Sequence, residues 1–330
     1  MMVRVLRRKV MLGAAAAVLL AATAGSAQAA TVLRWGEGQA PAHPAAQMIE
    51  RAAKDIKEKT GGRIEVQGFP GGQLGGSRDM VEAVASGALT MVTEGAAQLG
   101  QFVPQFSIIE APYIWRDADH MARALSSPLM DEFNKELVQK RGMRVIGVTY
   151  YGKRHVTSGS KVIRTAADMQ GFKLRVPEVD TFKAMAEAWG ARATPLNFNE
   201  LYLALSQGAV DGQENPLPTI ASGKLNEVQK NLVLTGHIIT PRLVIVNEKA
   251  WSAIPEADRA IIRESIAAAA AWQDKEIASQ EATLVDTFKK AGMNVIEPDV
   301  ESFRKQVLST VPQKFEAKWG KGLWERIQAF

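Results

Sequence analysis

Residues 256–291 contain neither glycine nor proline, although both residues punctuate the rest of this 330-residue chain. Pro255 suits the first turn of a helix and Gly292 suits its end. Ile261, Ile262, Ile266, Trp272, Ile277, Leu284, Val285 and Phe288 supply the apolar faces. As one helix from Pro255 to Ala291 the segment runs roughly 55 Å, longer than a single lobe is wide, so it must lie across two. The alternative is two helices kinked near Ser279. The length of the chain supports two lobes with separate cores.

The first 29 residues read as an export leader rather than as fold. Arg4, Arg7, Arg8 and Lys9 form a basic start, Val10 to Ala24 an apolar run, and Ala27-Gln28-Ala29 a small-residue cleavage site. That places the mature protein in the periplasm, cleaved after Ala29. The Arg7-Arg8 pair leaves the general and the twin-arginine export routes both open. Removing the leader takes the formal charge from +5 to +1, so the mature chain lacks the basic surface that nucleic-acid binding requires. There is no cysteine, which excludes disulfides, thiolate catalysis and cysteine-based zinc sites. His43, His120, His155 and His237 stand at no metal-ligand spacing, and neither a phosphate-binding loop nor a Gly-x-Ser-x-Gly elbow is present. No cofactor or metal is implied.

Strand and helix patterns alternate after the leader. Thr31–Trp35, Ile64–Gln67 and Leu89–Thr93 read as strands. Between them lie a helix over Ala45–Lys59, with Met48, Ala52 and Ile56 on one stripe, and a second helix capped by Ser77. Such alternation predicts an α/β fold with a largely parallel sheet. Pro112–His120 reads as a loop, Pro128–Arg141 as a helix and Arg144–Tyr150 as a strand. Thr165–Asp168 fits a capping box opening a helix. Leu232–Ile239 and Leu243–Asn247 read as strands broken at Thr240-Pro241-Arg242. The turn Tyr151–Arg154 and that break are the two expected crossovers between lobes. They divide the chain into 30–151 plus 241–279, and 152–240 plus 280–330.

The stretch Gly171–Glu178 carries the clearest chemistry. Phe172, Leu174 and Val176 alternate with Lys173 and Arg175, and Pro177 stops the strand. Arg175 therefore stands at a strand's carboxyl end, the edge where open α/β sheets bind ligands. Its fork fits a carboxylate bidentately; an ion pair with an internal acid is the other outcome the spacing allows. Glu94, which follows the third strand, is either a solvated loop residue or a ligand contact, and Asn215 lies just beyond a short strand over Ala209–Gly212.

Leu174-Arg175-Val176-Pro177, Gly152-Lys153-Arg154-His155-Val156-Thr157 and Asp211-Gly212-Gln213-Glu214-Asn215-Pro216 together resemble the solute-binding proteins of tripartite ATP-independent periplasmic (TRAP) transporters, the DctP-like family, over nearly the whole chain after the leader. The resemblance implies a two-lobed, class II-like periplasmic-binding-protein fold with the long helix across both lobes. It implies a monomer, not an enzyme, that closes on a small organic acid and docks on an integral-membrane permease. Arg175, Arg154 and Asn215 become the expected carboxylate ligands. Phe198 is expected either as a ring against the ligand or as core. Glu94, Glu178, Gln39 and Glu37 are expected nearby. Glu178 and Gly38 stand where sialate-binding members tend to carry Asn, which argues against a sialic acid. Carboxylates around the cleft accept hydroxyl donors and repel a second anion. That favours a sugar acid, an aldonate or uronate, over other monocarboxylates and over dicarboxylates. An exported sugar-acid hydrolase or lyase, and a ligand-sensing receptor subunit, are the competing classes.

Overall fold

The computed structural model describes residues 29–330; the leader assignment lies outside the described residues. Ten strands form one continuous sheet system: β1 Thr31–Glu37, β2 Ile64–Phe69, β3 Met91–Gly95, β4 Met143–Ser158, β5 Lys173–Val176, β6 Arg192–Pro195, β7 Gly212–Pro216, β8 Asn231–Val233, β9 Ile239–Asn247 and β10 Asn294–Ile296. The main order is β2-β1-β3-β9-β4-β7-β5-β6, with β8 pairing β4 and β10. The outer pairs β1–β2, β1–β3, β5–β6 and β5–β7 are parallel, as alternating strands and helices predict. The centre departs from the expected parallel sheet: β9 runs antiparallel to β3 and β4, and β4 antiparallel to β7 and β8.

That centre also corrects both expected crossovers. Tyr151–Arg154 is not a turn and Thr240–Arg242 is not a break; each lies inside a continuous strand. Up to Lys153, β4 pairs with β9; from Arg154 onward it pairs with β7 and β8. The chain does change sheets at the expected place, but as an extended ribbon. Register shifts at Val145/Gly147 and Tyr150/Gly152 mark bulges, which bend and twist a strand without ending it. Gly152 has φ +122°, and Pro241 pairs with Tyr150 beside the same bulge, a position where a missing N–H is tolerated.

The segment 256–290 is one helix, Glu256–Lys290, of 35 residues, ~52 Å long at 1.5 Å per residue; the kinked pair is not seen. Its first half packs Ile262, Ile266, Ala269 and Ala270 with Trp35, Met48, Ile56 and Val244. Near its far end Phe288 joins Leu201, Ile220 and Leu232 in a separate core. In between, it supplies polar partners to the bulged part of β4. The Tyr150 N–H donates to Asp274 Oδ1 (2.7 Å), Gln273 Nε2 donates to the Tyr150 carbonyl (3.0 Å), and the Lys153 N–H donates to Glu281 Oε1 (2.6 Å). Burial pushes the Asp274 carboxyl up to about 6, offset only in part by the Tyr150 N–H. Three C-terminal helices, Val300–Leu308, Val311–Trp319 and Leu323–Gln328, tie both sides together. Trp189 Nε1 donates to the Phe303 carbonyl (3.1 Å) and Trp319 Nε1 to Ser107 Oγ (2.8 Å).

Several local expectations shift. Gly76, not Ser77, caps the helix Ser77–Ser86. A helix starts at Ala118, within the expected loop, because Asp117 accepts the His120 N–H at 2.7 Å. The Thr165 capping box opens only a 3₁₀ turn, Ala166–Met169. At Gly152 an added Cβ would meet Pro216 Cβ at 2.8 Å and Glu281 Oε1 at 3.1 Å, besides the strain of positive φ. Gly152→Ala is therefore expected to destabilise by ~1–3 kcal/mol. Urea denaturation should show a lower midpoint at unchanged slope; an unchanged midpoint would count against the bulge as a fixed element.

Candidate functional site

The cleft between the two ends of the sheet is built from strand termini on both sides. Glu94 and Gly95 end β3, Arg175 comes one residue before the end of β5, and Asn215 one residue before the end of β7. Gly38 and Gln39 follow β1 directly. Tyr151 and Arg154 on β4 come from the zone where that strand passes from β9 to β7 and β8, and Thr240 and Arg242 come from β9 beside it. All of these residues line one cavity, together with Glu178, Phe198, Gln98 and Glu110.

Seven of the eight residues expected from the sequence thus meet: Arg175, Arg154, Asn215, Phe198, Glu94, Glu178 and Gln39. Some do so in different local settings. Arg154 lies in a strand rather than a turn, and Asn215 and Glu94 lie within strands rather than beyond them. Phe198 opens the helix Phe198–Ser206, lines the cavity and packs against the Leu201–Ile220 core. Glu178 is exposed at the rim. Glu37 does not line the cavity. It is fully buried behind it, accepting from Arg242 Nη1 at 2.5 Å and from the Gln39 N–H at 2.8 Å.

The three arginines of the site differ in what neutralises them. Arg154 is held bidentately by Glu214, Nε to Oε2 at 2.5 Å and Nη2 to Oε1 at 2.9 Å, and Nη2 also donates to Asn215 Oδ1 at 2.9 Å. Glu214 in turn accepts from His237 Nε2 at 3.0 Å. Burial alone would lower the Arg154 pKa, but Glu214 beside it carries it upward. Arg242 pairs with Glu37, approaches Glu94 Oε2 at 3.6 Å, and donates to the Thr93 carbonyl; these acids override its desolvation and hold its pKa above the ordinary value.

Arg175 is the exception. Its Nε and Nη2 both donate to the Leu196 carbonyl, at 2.9 and 2.5 Å. Among the described residues no carboxylate forms a salt bridge with it, although it is only 3 % exposed. Burial pulls its pKa down to about 10, with the more distant Glu214 offsetting this in part. The internal ion pair that the sequence allowed is not formed. Such a guanidinium stays charged at neutral pH and lacks a counterion.

Arg242, Tyr151, Thr240, Gln98 and Glu110 were not singled out in the sequence. The available signal was a lone charge in an apolar run: Arg242 within Ile238–Val246, and Glu110 after Ile108-Ile109. The sequence profile of bacterial extracellular solute-binding protein family 7 (DctP) matches residues 35–318. The chain belongs to that family. This family 7 protein is 33% identical over 313 residues to the sialic acid-binding periplasmic protein SiaP of Vibrio cholerae, covering 95% of this chain and 97% of that one. A TRAP periplasmic solute-binding protein from Polaromonas sp. JS666 bound to D-erythronate superposes with a TM-score of 0.86 at 33% identity, over 91% of this chain and 98% of that one. One from Roseobacter denitrificans with bound 3-deoxy-D-manno-oct-2-ulosonic acid gives 0.86 at 31%, over 91% and 99%. This family 7 solute-binding protein therefore has the two-lobed TRAP fold, with the long helix across both lobes. Among the described residues no helix is long and apolar enough to cross a membrane.

Glu37, buried behind the cavity, is open to a direct test. Removing one partner of a buried pair strands the other charge, at a cost of about 3–5 kcal/mol. Glu37→Ala should lose stability on that scale in chemical denaturation without any ligand present. A stability loss under about 1 kcal/mol would show that Arg242 does not depend on Glu37.

Proposed function

We propose that this protein captures a hydroxylated monocarboxylate, a sugar acid such as an aldonate or uronate, in the periplasm and delivers it to a TRAP-type membrane permease. The observation that carries the reading is the buried, unpaired guanidinium of Arg175 on the cavity wall. A ligand carboxylate supplies the missing counterion, with Arg154 and Asn215 beside it. Glu94 and Glu178 on the same cavity accept hydroxyl donors and disfavour a second anion. D-Erythronate and 3-deoxy-D-manno-oct-2-ulosonic acid, the ligands of two similar structures, are both hydroxylated monocarboxylates. On this reading the protein is a monomer and turns nothing over: incubation with such acids returns them unchanged. N-terminal sequencing of the exported protein should start at Ala30.

Arg175→Ala breaks a desolvated charge-assisted pair, worth about 3–5 kcal/mol, and should weaken calorimetric affinity by roughly two to four decades. Arg175→Lys should restore only part, because the fork is lost. Unchanged affinity in a folded Arg175→Ala protein would sink the assignment. A thermal-shift screen decides the class of acid: ligand at 100 times its Kd adds about 2.7 kcal/mol, and stabilisation by succinate or malate alone would overturn the sugar-acid reading.

Closure itself has a steric test. At Gly76, φ −73° and ψ 171° suit any residue, yet an added Cβ would overlap Asn197 Oδ1 across the cleft mouth. Gly76→Ala should leave stability intact and lower affinity by about 1–3 kcal/mol, roughly fivefold to 150-fold. Adding Asn197→Ala should recover part of the loss. If the double variant binds no better than Gly76→Ala, the two residues do not meet in the bound form.

A further inference from the structure

Glu110 has no part in the carboxylate-holding arrangement, yet it lines the same cavity. It ends the 3₁₀ segment Pro104–Glu110 and is 4 % exposed. One oxygen, Oε2, accepts the Ala97 N–H at 2.7 Å; among the described residues the other has no hydrogen-bond partner. The charges around it come from three strands. Glu94 on β3 opposes its ionisation, while Arg154 on β4 and Arg242 on β9 favour it. Both arginines are committed elsewhere: Arg154 bidentately to Glu214, Arg242 to Glu37 and Glu94. An ionised Glu110 would be a buried carboxylate with one N–H and no counterion of its own, beside another carboxylate.

Resting on the sugar-acid reading above, we propose that Glu110 enters the closed, liganded site as a neutral carboxylic acid and donates a hydrogen bond to the hydroxylated part of the ligand. The neutral acid keeps Oε2 as acceptor for Ala97 and carries its proton on the free oxygen, facing the ligand. The donor at Glu110 then stands in a cavity also lined by Glu94 and Gln39, whose Oε1 atoms are acceptors without partners among the described residues. A hydroxyl both donates and accepts, so it satisfies both kinds of group. A second carboxylate only accepts; it would leave Glu94 and Gln39 unsatisfied and add charge. Glu110 is thereby a specificity-determining residue for polyhydroxylated tails. Burial pushes its carboxyl up to about 7, the Ala97 N–H offsetting this only in part.

The linkage has a definite sign. Burial in this structure holds the Glu110 carboxyl at about 7; on the proposal, an open, hydrated cleft lets it return towards its ordinary value of 4.5. Between these values binding takes up a proton. Affinity is therefore highest at the acid end, falls as pH rises through that interval, by up to about tenfold per unit for one proton, and levels off above about pH 7.

The test uses the full mature protein with D-erythronate and 3-deoxy-D-manno-oct-2-ulosonic acid as probes. Calorimetry at about pH 6, in two buffers of different ionisation enthalpy, should report uptake of most of one proton, and affinity should fall towards pH 7. Glu110→Gln cannot ionise; whatever its affinity, it should show no proton uptake and a flat profile over that range. A wild-type affinity independent of pH with no proton uptake, or an unchanged profile in folded Glu110→Gln, would overturn the proposal. Infrared difference spectra of wild type against Glu110→Gln give a second readout. The probe-bound protein at about pH 6 should show the carbonyl stretch of a protonated carboxylic acid, and its absence would equally overturn the role of Glu110. Should neither acid bind at any pH, the proposal falls together with the sugar-acid reading. Binding that Arg175→Ala abolishes but that moves no proton overturns the Glu110 proposal alone.

Discussion

The antiparallel pairing of β4 with β9 is the constraint on which the remaining structure depends. β4 extends over 16 residues and β9 over 9. Through them the half of the sheet carrying β1–β3 is joined covalently and by hydrogen bonds to the half carrying β5–β7. A strand that leaves one sheet for another must stop pairing somewhere, and its freed backbone groups then need partners. Here the bulge at Tyr150/Gly152 falls where the long helix places Gln273, Asp274 and Glu281. The helix is thus a strut that satisfies the crossover as well as a bridge between cores. Its length follows from these two demands together, since its first half serves one core, its far end another, and its middle the strand between them.

The same geometry makes the site. Parallel strands on each side present their carboxyl ends to the cleft, bringing Glu94, Arg175 and Asn215 to it. The crossing strands pass beneath and contribute Arg154 and Arg242 from their middles. Both arginines are almost wholly buried. They are buried with dedicated acids, Glu214 and Glu37. Arg175, on a short strand near its end, is held by a backbone carbonyl instead. A carbonyl orients a guanidinium without cancelling its charge, which leaves the electrostatic demand to be met by whatever enters the cleft.

What the sequence made legible follows local periodicity. Arg175 could be placed because alternation and Pro177 together define a strand end. The long helix could be placed because nothing in residues 256–291 interrupts it, and α/β alternation carried the fold class. Arg154 was assigned to the right cleft in the wrong backbone, because Gly152 reads as a turn while it serves a bulge. Pro241 misled similarly; it signals a break, yet it sits where the β4 bulge asks for no donor. Glu37 is expected near the ligand because it follows the first strand, but its partner Arg242 lies 205 residues away. Glu110 is illegible locally for the same reason: its setting depends on Ala97, Glu94 and two arginines from other strands. Pairings of that kind are set by topology, and no local pattern encodes them.

On the function proposed above, the charge arrangement also gives the lobes a reason to wait for ligand before closing. A ligand shifts an open–closed equilibrium only through its different affinity for the two forms. The cavity holds Arg175 away from water without a counterion, and among the described residues Glu94 Oε1, Gln39 Oε1 and Thr240 Oγ1 have no hydrogen-bond partners. Each unsatisfied buried group costs roughly 1–3 kcal/mol, more where charge is involved. In an open cleft water meets all of these demands. On the function proposed above, a monocarboxylate with hydroxyls meets them in the closed form: the carboxylate answers Arg175, and the hydroxyls answer the orphaned acceptors. An acid without hydroxyls cancels the charge but leaves the acceptors bare, and a neutral sugar does the reverse. Closure is then favoured by the combination of the two chemistries. This makes discrimination a property of the closing step rather than of first contact.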